Sequence, residues 1–80
     1  MELQHIIDVS RYARNLGPDF PGTLSRGEAA TAALVLNRAD YLKAMDYTMA
    51  EAVNRLDQGD AAKLIDAQRA LQREAPLVEV

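Results

Sequence analysis

Residues 25–57 read SRGEAATAALVLNRADYLKAMDYTMAEAVNRLD, and the fold turns on how this stretch is parsed. It opens on Ser25-Arg26-Gly27-Glu28, a capping box. The Ser25 hydroxyl can accept the backbone N–H at the third helical position while Glu28 reaches back to the Ser25 amide. From there to Asp57 no proline interrupts, and the commonest residues are strong helix formers. The reading is one helix over about 26–57, ~32 residues and roughly 48 Å at 1.5 Å per residue. Asn37 is where that helix would break, since Asn37 with Asp40 offers caps for a new helix after a short turn.

On the N-terminal side, Leu3, Ile6, Val9, Ala13 and Leu16 repeat at three- and four-residue steps, the apolar stripe of a helix over about 2–16. Gly17 suits the left-handed position past its end, and Pro18 stops it. On the C-terminal side, Gln58-Gly59-Asp60 is a short turn, Asp60 is placed to cap a helix over 61–74, and Pro76 ends it. The stripe there is Leu64, Ala67 and Leu71, with Ile65 beside it. Residues 76–80 form a tail. Its Leu77-Val78-Glu79-Val80 alternates as a strand would, but is too short to hold structure on its own. The expected architecture is therefore all-α: a single domain over 1–80 of three helices, short, long and short, joined as antiparallel hairpins.

Such a layout leaves the middle helix with more apolar surface than its neighbours can cover. Leu34, Val35 and Leu36 are consecutive, and Tyr41, Leu42, Met45, Met49, Ala52, Val53 and Leu56 span a wide arc. Small chains sit near the limit of independent stability. Two copies pairing as a dimeric helical bundle would bury the excess. Leu34, Tyr41, Met45, Tyr47 and Met49 are the candidate dimer or partner contacts. Phe20, held between Pro18 and Pro21, is either a plug over the bundle's open end or an aromatic anchor for a partner. The competing arrangement is a monomer whose middle helix kinks at Asn37.

Composition narrows the function. The chain has 80 residues, no cysteine and one histidine, with 9 basic against 12 acidic residues and a net charge of −3. That is too little chemistry for nucleophile, base and stabiliser together, so the expectation is a non-enzyme with no metal and no cofactor. His5 reads as an exposed helix residue rather than a switch. Asp57 and Asp60 are too few oxygens for a cation cage. No apolar run approaches the ~18 residues of a membrane span, and a cytoplasmic location is expected. The acidic balance disfavours general nucleic-acid binding. Arg11, Arg14 and Arg38, with Arg26, are the residues that could form a basic stripe. Asp8/Arg11, Glu51/Arg55 and Asp66/Arg69 have spacings that let opposite charges meet on one helix face. Residues 50–68 test poorly as a DNA-reading helix-turn-helix. Gly59 and Ile65 fit, but Arg55 stands where a small residue is needed.

Val35-Leu36-Asn37-Arg38, followed by Tyr41, Ala44, Met45 and Asp46 and by an alanine-rich hairpin ending in Gln68-Arg69, resembles small phage-encoded helical proteins that bind and inactivate host regulators, quorum-sensing anti-activators among them. The resemblance covers about half the chain and implies a homodimeric inhibitor acting by protein contact. The expected function is a small non-enzymatic protein-interaction domain, a homodimeric regulator or inhibitor of a host protein. The alternative is a DNA-associated regulator using the hairpin or the arginines of the first helix.

Overall fold

The computed structural model describes residues 1–17, 19, 22–56 and 59–74. Among them the chain is all-helical, with α1 (Leu3–Leu16), α2 (Arg26–Leu36), α3 (Ala39–Ala44), α4 (Met49–Asn54) and α5 (Asp60–Glu74). The outer helices match the sequence reading within a residue or two. The long middle helix does not exist. Its place is taken by three helices, and the longest dimension of the molecule, 35 Å, could not hold a straight rod of roughly 48 Å.

Two backbone events break it. At Asn37, φ is 56° and ψ 45°; the Arg38 amide bonds the Ala33 carbonyl at 2.8 Å and the Asn37 amide bonds Leu34 at 3.3 Å. At Asp46, φ is 62°, with the Tyr47 amide on the Leu42 carbonyl at 2.9 Å and the Asp46 amide on Lys43 at 3.0 Å. Both are Schellman endings, in which a residue in the left-handed region lets the chain fold back onto the last carbonyls. Asn and Asp tolerate that region better than other non-glycine residues. Asn37 therefore ends α2 rather than capping α3, whose N-cap, Arg38, makes no side-chain capping bond. The third piece then starts on a second capping box. Thr48 accepts the Glu51 amide at 3.1 Å, and Glu51 accepts the Thr48 amide at 2.8 Å. The box at Ser25 and Glu28 forms as expected.

The folded-back segment changes where the apolar residues go. α2 packs against each of the other four helices. Its Ala29, Ala30, Thr31, Ala32, Ala33 and Val35 are all buried, as suits a helix surrounded by protein. The run of alanines allows that close approach. One core cluster joins these alanines to Ala13, Tyr41, Leu42, Met45 and Ala52. A second gathers Ile6, Ile7, Val35, Ala67 and Leu71 where α1, α2 and α5 meet. Burying a side chain such as Ile6 contributes about 1.5–3 kcal/mol. Tyr41 and Met45, expected at an interface, lie inside the protomer, and Leu34 packs against the first cluster. Much of the surplus apolar flank that called for a dimer is thus absorbed within one chain, while Met49 and Val53 stay half-exposed.

Polar ties close the ends. The Gly17 amide bonds Arg14 O with φ at 66°, so the glycine ends α1 as its conformational freedom predicts. Asp60, buried in the first turn of α5, accepts from the Met1 ammonium at 3.3 Å and pairs with Lys63 at 3.3 Å. Burial alone would raise its pKa, but Lys63 and that ammonium together hold it below the usual carboxylate value.

Candidate functional site

The residues singled out as nucleic-acid contacts are committed to the fold. Arg11 forms a forked pair with Glu74, through Nε at 3.1 Å and Nη2 at 2.5 Å, and also reaches Asp8 at 3.1 Å. Arg14 donates at 3.1 Å to Glu74 Oε1, the oxygen that Arg11 Nε also reaches, and at 3.3 Å to the Leu71 carbonyl. The hydrogen bond from Arg11, with Arg14 beside it, holds the Glu74 carboxyl down at about 2. Arg38 grips Asp40 in a fork at 2.9 and 2.6 Å, donates to Gly17 O at 3.1 Å, and stacks over the Tyr41 ring at 4.3 Å. All three arginines therefore have carboxylate partners. Ile65, which a helix-turn-helix would bury, is 52% exposed.

Of the expected partner contacts, Tyr41 serves the interior. Its hydroxyl donates to the carbonyls of Gly17 at 2.5 Å and Ala13 at 3.1 Å, locking α3 to the end of α1. Phe20 lies outside the described residues, as do Asp57 and the 76–80 tail. Met49 and Tyr47 do reach the surface. Met49 is 49% exposed, and Val53, one helical turn on, is 50% exposed. Sequence reasoning grouped Val53 with the apolar arc but did not single it out. Its signal was the i, i+4 spacing to Met49.

Met49 borders a cleft of about 490 Å³ between α3 and α4, lined also by Leu42, Lys43, Asp46, Tyr47 and Glu51; Val53 lies one turn further along α4, outside its lining. The break at Asp46 creates the cleft, because the reversal at Tyr47 separates the two short helices. The rim carries both signs of charge, from Lys43 and Asp46. A second cleft, about 400 Å³, lies between α2 and α5. Two of its polar side chains already serve the fold, Gln68 bonding Val35 O at 3.2 Å and Arg14 bonding Leu71 O.

Tyr47 also organises a basic cluster on its other contacts. The Arg26 guanidinium lies 4.7 Å and that of Arg55 5.9 Å from its ring centroid. Arg26 also donates to Met45 O at 2.9 Å, fixing it at the end of α3. Arg55 thus meets the ring rather than the Glu51 expected from helical spacing, and Glu51 is turned toward the Thr48 amide. Of the expected pairs, Asp8/Arg11 forms.

His5 meets Glu28 at 2.7 Å, joining α1 to the capping box of α2. The Ser25 amide is the main influence that lowers the Glu28 pKa, with His5 second. Among the described residues no group of three or more metal-ligating side chains converges, and no helix is long and apolar enough to cross a membrane. No protein-family model, no curated protein and no solved structure matches the chain.

Proposed function

We propose that this chain is a small non-enzymatic protein-interaction domain that engages a partner through the α3–α4 face. The observation that carries the reading is the pairing of half-exposed Met49 and Val53 one helical turn apart on α4, with Met49 also lining an open cleft. A flexible methionine next to an aromatic and an aliphatic suits a protein contact, because such a surface moulds to the side chain it receives. The resemblance noted above adds the expectation that this contact inhibits a regulator.

The DNA-associated alternative has less support. Arg11, Arg14 and Arg38 carry carboxylate partners, and neutralised cations release few counterions on meeting phosphate. A homodimer is a different occupant of the same face, and its original motive was an unbroken rod that the fold lacks.

The test is site-specific photocross-linking in the native host, with a benzophenone amino acid at Met49, at Val53, or at Arg69 on α5. The expected outcome is one discrete adduct of mixed composition from positions 49 and 53 and none from 69, lost when Val53→Asp is added to the position-49 version. Adducts from all three positions alike, or from none, would refute the reading. An adduct of twice the chain mass would reassign the face to self-association.

A further inference from the structure

We propose that Arg26 and Arg55, gathered on Tyr47, form a clamp for the carboxylates of an acidic segment in the partner protein. The inference rests on the interaction reading above and names the chemistry of the partner.

Three observations carry it. First, two guanidinium groups share one ring, at 4.7 and 5.9 Å from its centroid, which places like charges within about a Debye length, ~8–10 Å at physiological ionic strength. The chain carries a net charge of −3, so an anion for them is available in principle. Yet among the described residues neither Arg26 nor Arg55 has a carboxylate partner, whereas Arg11, Arg14, Arg38 and Lys63 each have one. Second, the acids of the two flanking caps are spent. Glu28 is bound to the Ser25 amide and His5, and Glu51 to the Thr48 amide. Third, the clamp is held in place before any partner arrives. Arg26 is pinned to Met45 O, and both guanidinium groups rest within cation–π range of the Tyr47 ring. Arg69 and Arg73 on α5 are exposed too, but among the described residues no ring or carbonyl fixes them.

Why carboxylate, and why a peptide? The planar guanidinium fork matches a carboxylate with two parallel hydrogen bonds. Tyr47 belongs to both the clamp and the cleft, so an acidic residue on the arginines leaves a neighbouring apolar residue beside Met49. Asp46 and Glu51 on the cleft rim confine favourable anion contact to the arginines, which suits a carboxylate followed by an apolar residue better than a continuous polyphosphate chain.

The probe is a capped 12-residue peptide of glutamate and leucine, with its glutamine-for-glutamate counterpart and a 12-nucleotide single-stranded DNA as comparisons, titrated into the ¹⁵N-labelled full chain. The expected result is movement of the Arg26 and Arg55 Nε–H signals with the glutamate peptide, and affinity at least tenfold weaker for the glutamine peptide. Arg26→Gln and Arg55→Gln should each lose about tenfold, Arg26→Lys an intermediate amount, and Arg69→Gln less than twofold. Variant folding is checked by the unchanged amide spectrum of α1 and α5. Equal affinity for the glutamine peptide, tighter binding of the DNA, no effect of either Arg→Gln change, or no binding at all would overturn the clamp. If the clamp fails while the adducts from residues 49 and 53 persist, the interaction reading survives with a partner that is not acidic. If both fail, the reading falls with it.

Discussion

Removing one oxygen from Tyr41 tests the central claim that the middle segment is folded back rather than extended. Tyr41 is 1% exposed, and its hydroxyl lies against the carbonyls of Ala13 and Gly17, both at the end of α1. The Gly17 carbonyl has a second donor in Arg38 at 3.1 Å. Ala13 does not. Its usual helical donor, the Gly17 amide, bonds Arg14 O instead. In Tyr41→Phe the ring still fills the core while the Ala13 carbonyl is stranded away from water. A buried polar group left without its partner costs about 1–3 kcal/mol. Because the acceptor is a single carbonyl that a small relaxation could re-expose, the lower half of that range, about 1–2 kcal/mol, is expected. For a chain of this size each kcal/mol is worth ~4–8 °C in Tm. Urea unfolding followed by circular dichroism should show a lower midpoint at constant slope, the sign that stability changed and the compactness of the end states did not. A change under ~0.3 kcal/mol would mean the hydroxyl faces water. That is what an extended rod with Tyr41 at an interface requires, and it would refute the folded-back arrangement.

Other perturbations probe separate joints. Asn37→Ala places a β-carbon in a left-handed position with φ at 56°, so it should destabilise by about 1–2 kcal/mol, whereas Asn37→Gly should be near neutral; paired urea melts decide between them. Ser10 is fully buried and its hydroxyl has no partner among the described residues, so Ser10→Ala should raise stability by up to ~1 kcal/mol, read as an increase in Tm. Glu74 titrates at about 2 in the folded chain against an ordinary 4.5. Between those values the unfolded chain binds more protons, so the stability this group supplies above pH 4.5 is lost as pH falls toward 2. Glu74→Gln should flatten that acid limb in a Tm-against-pH series.

What the sequence disclosed depended on whether each signal was local. α1 and α5 carry apolar stripes at helical spacing, bounded by Gly17 at one end and by the Gly59 turn at the other, and both stand where expected. The Ser25–Glu28 box was read correctly for the same reason. Thr48-Met49-Ala50-Glu51 has the identical S/T-x-x-E form and starts α4, but it sits inside a proline-free run of helix formers, where the same pattern also occurs in helix interiors. Asp46 was less legible. Nothing in its neighbours says that it adopts φ 62°; the Leu42 carbonyl accepts the Tyr47 amide only once the chain has turned back, and burial of Leu42 and Met45 rewards that turn. Among the candidate residues, Met49 is exposed as its type and spacing suggested, while Tyr47 is half-buried against the first core cluster. The gathering of Arg26 and Arg55 on one ring could not be read, since Arg55 is brought there by two reversals.

The same reversals replace a broad apolar stripe with a small exposed corner. An unbroken helix would have displayed Tyr41, Met45 and Met49 along one line, a surface suited to a second copy of itself. Breaking it at Asn37 and Asp46 sends Tyr41 and Met45 inward and leaves Met49 and Val53 facing out. A contact that small gains limited free energy from apolar area alone, so specificity has to come from directional groups at its edge. Among the described residues, Arg26 and Arg55 are the arginines at that edge without a carboxylate, whereas Arg11, Arg14 and Arg38 are held by Glu74 and Asp40. The break at Asp46 therefore does two things at once: it retires the apolar rod as a dimer seam, and it sets Tyr47 where two arginines can share its ring.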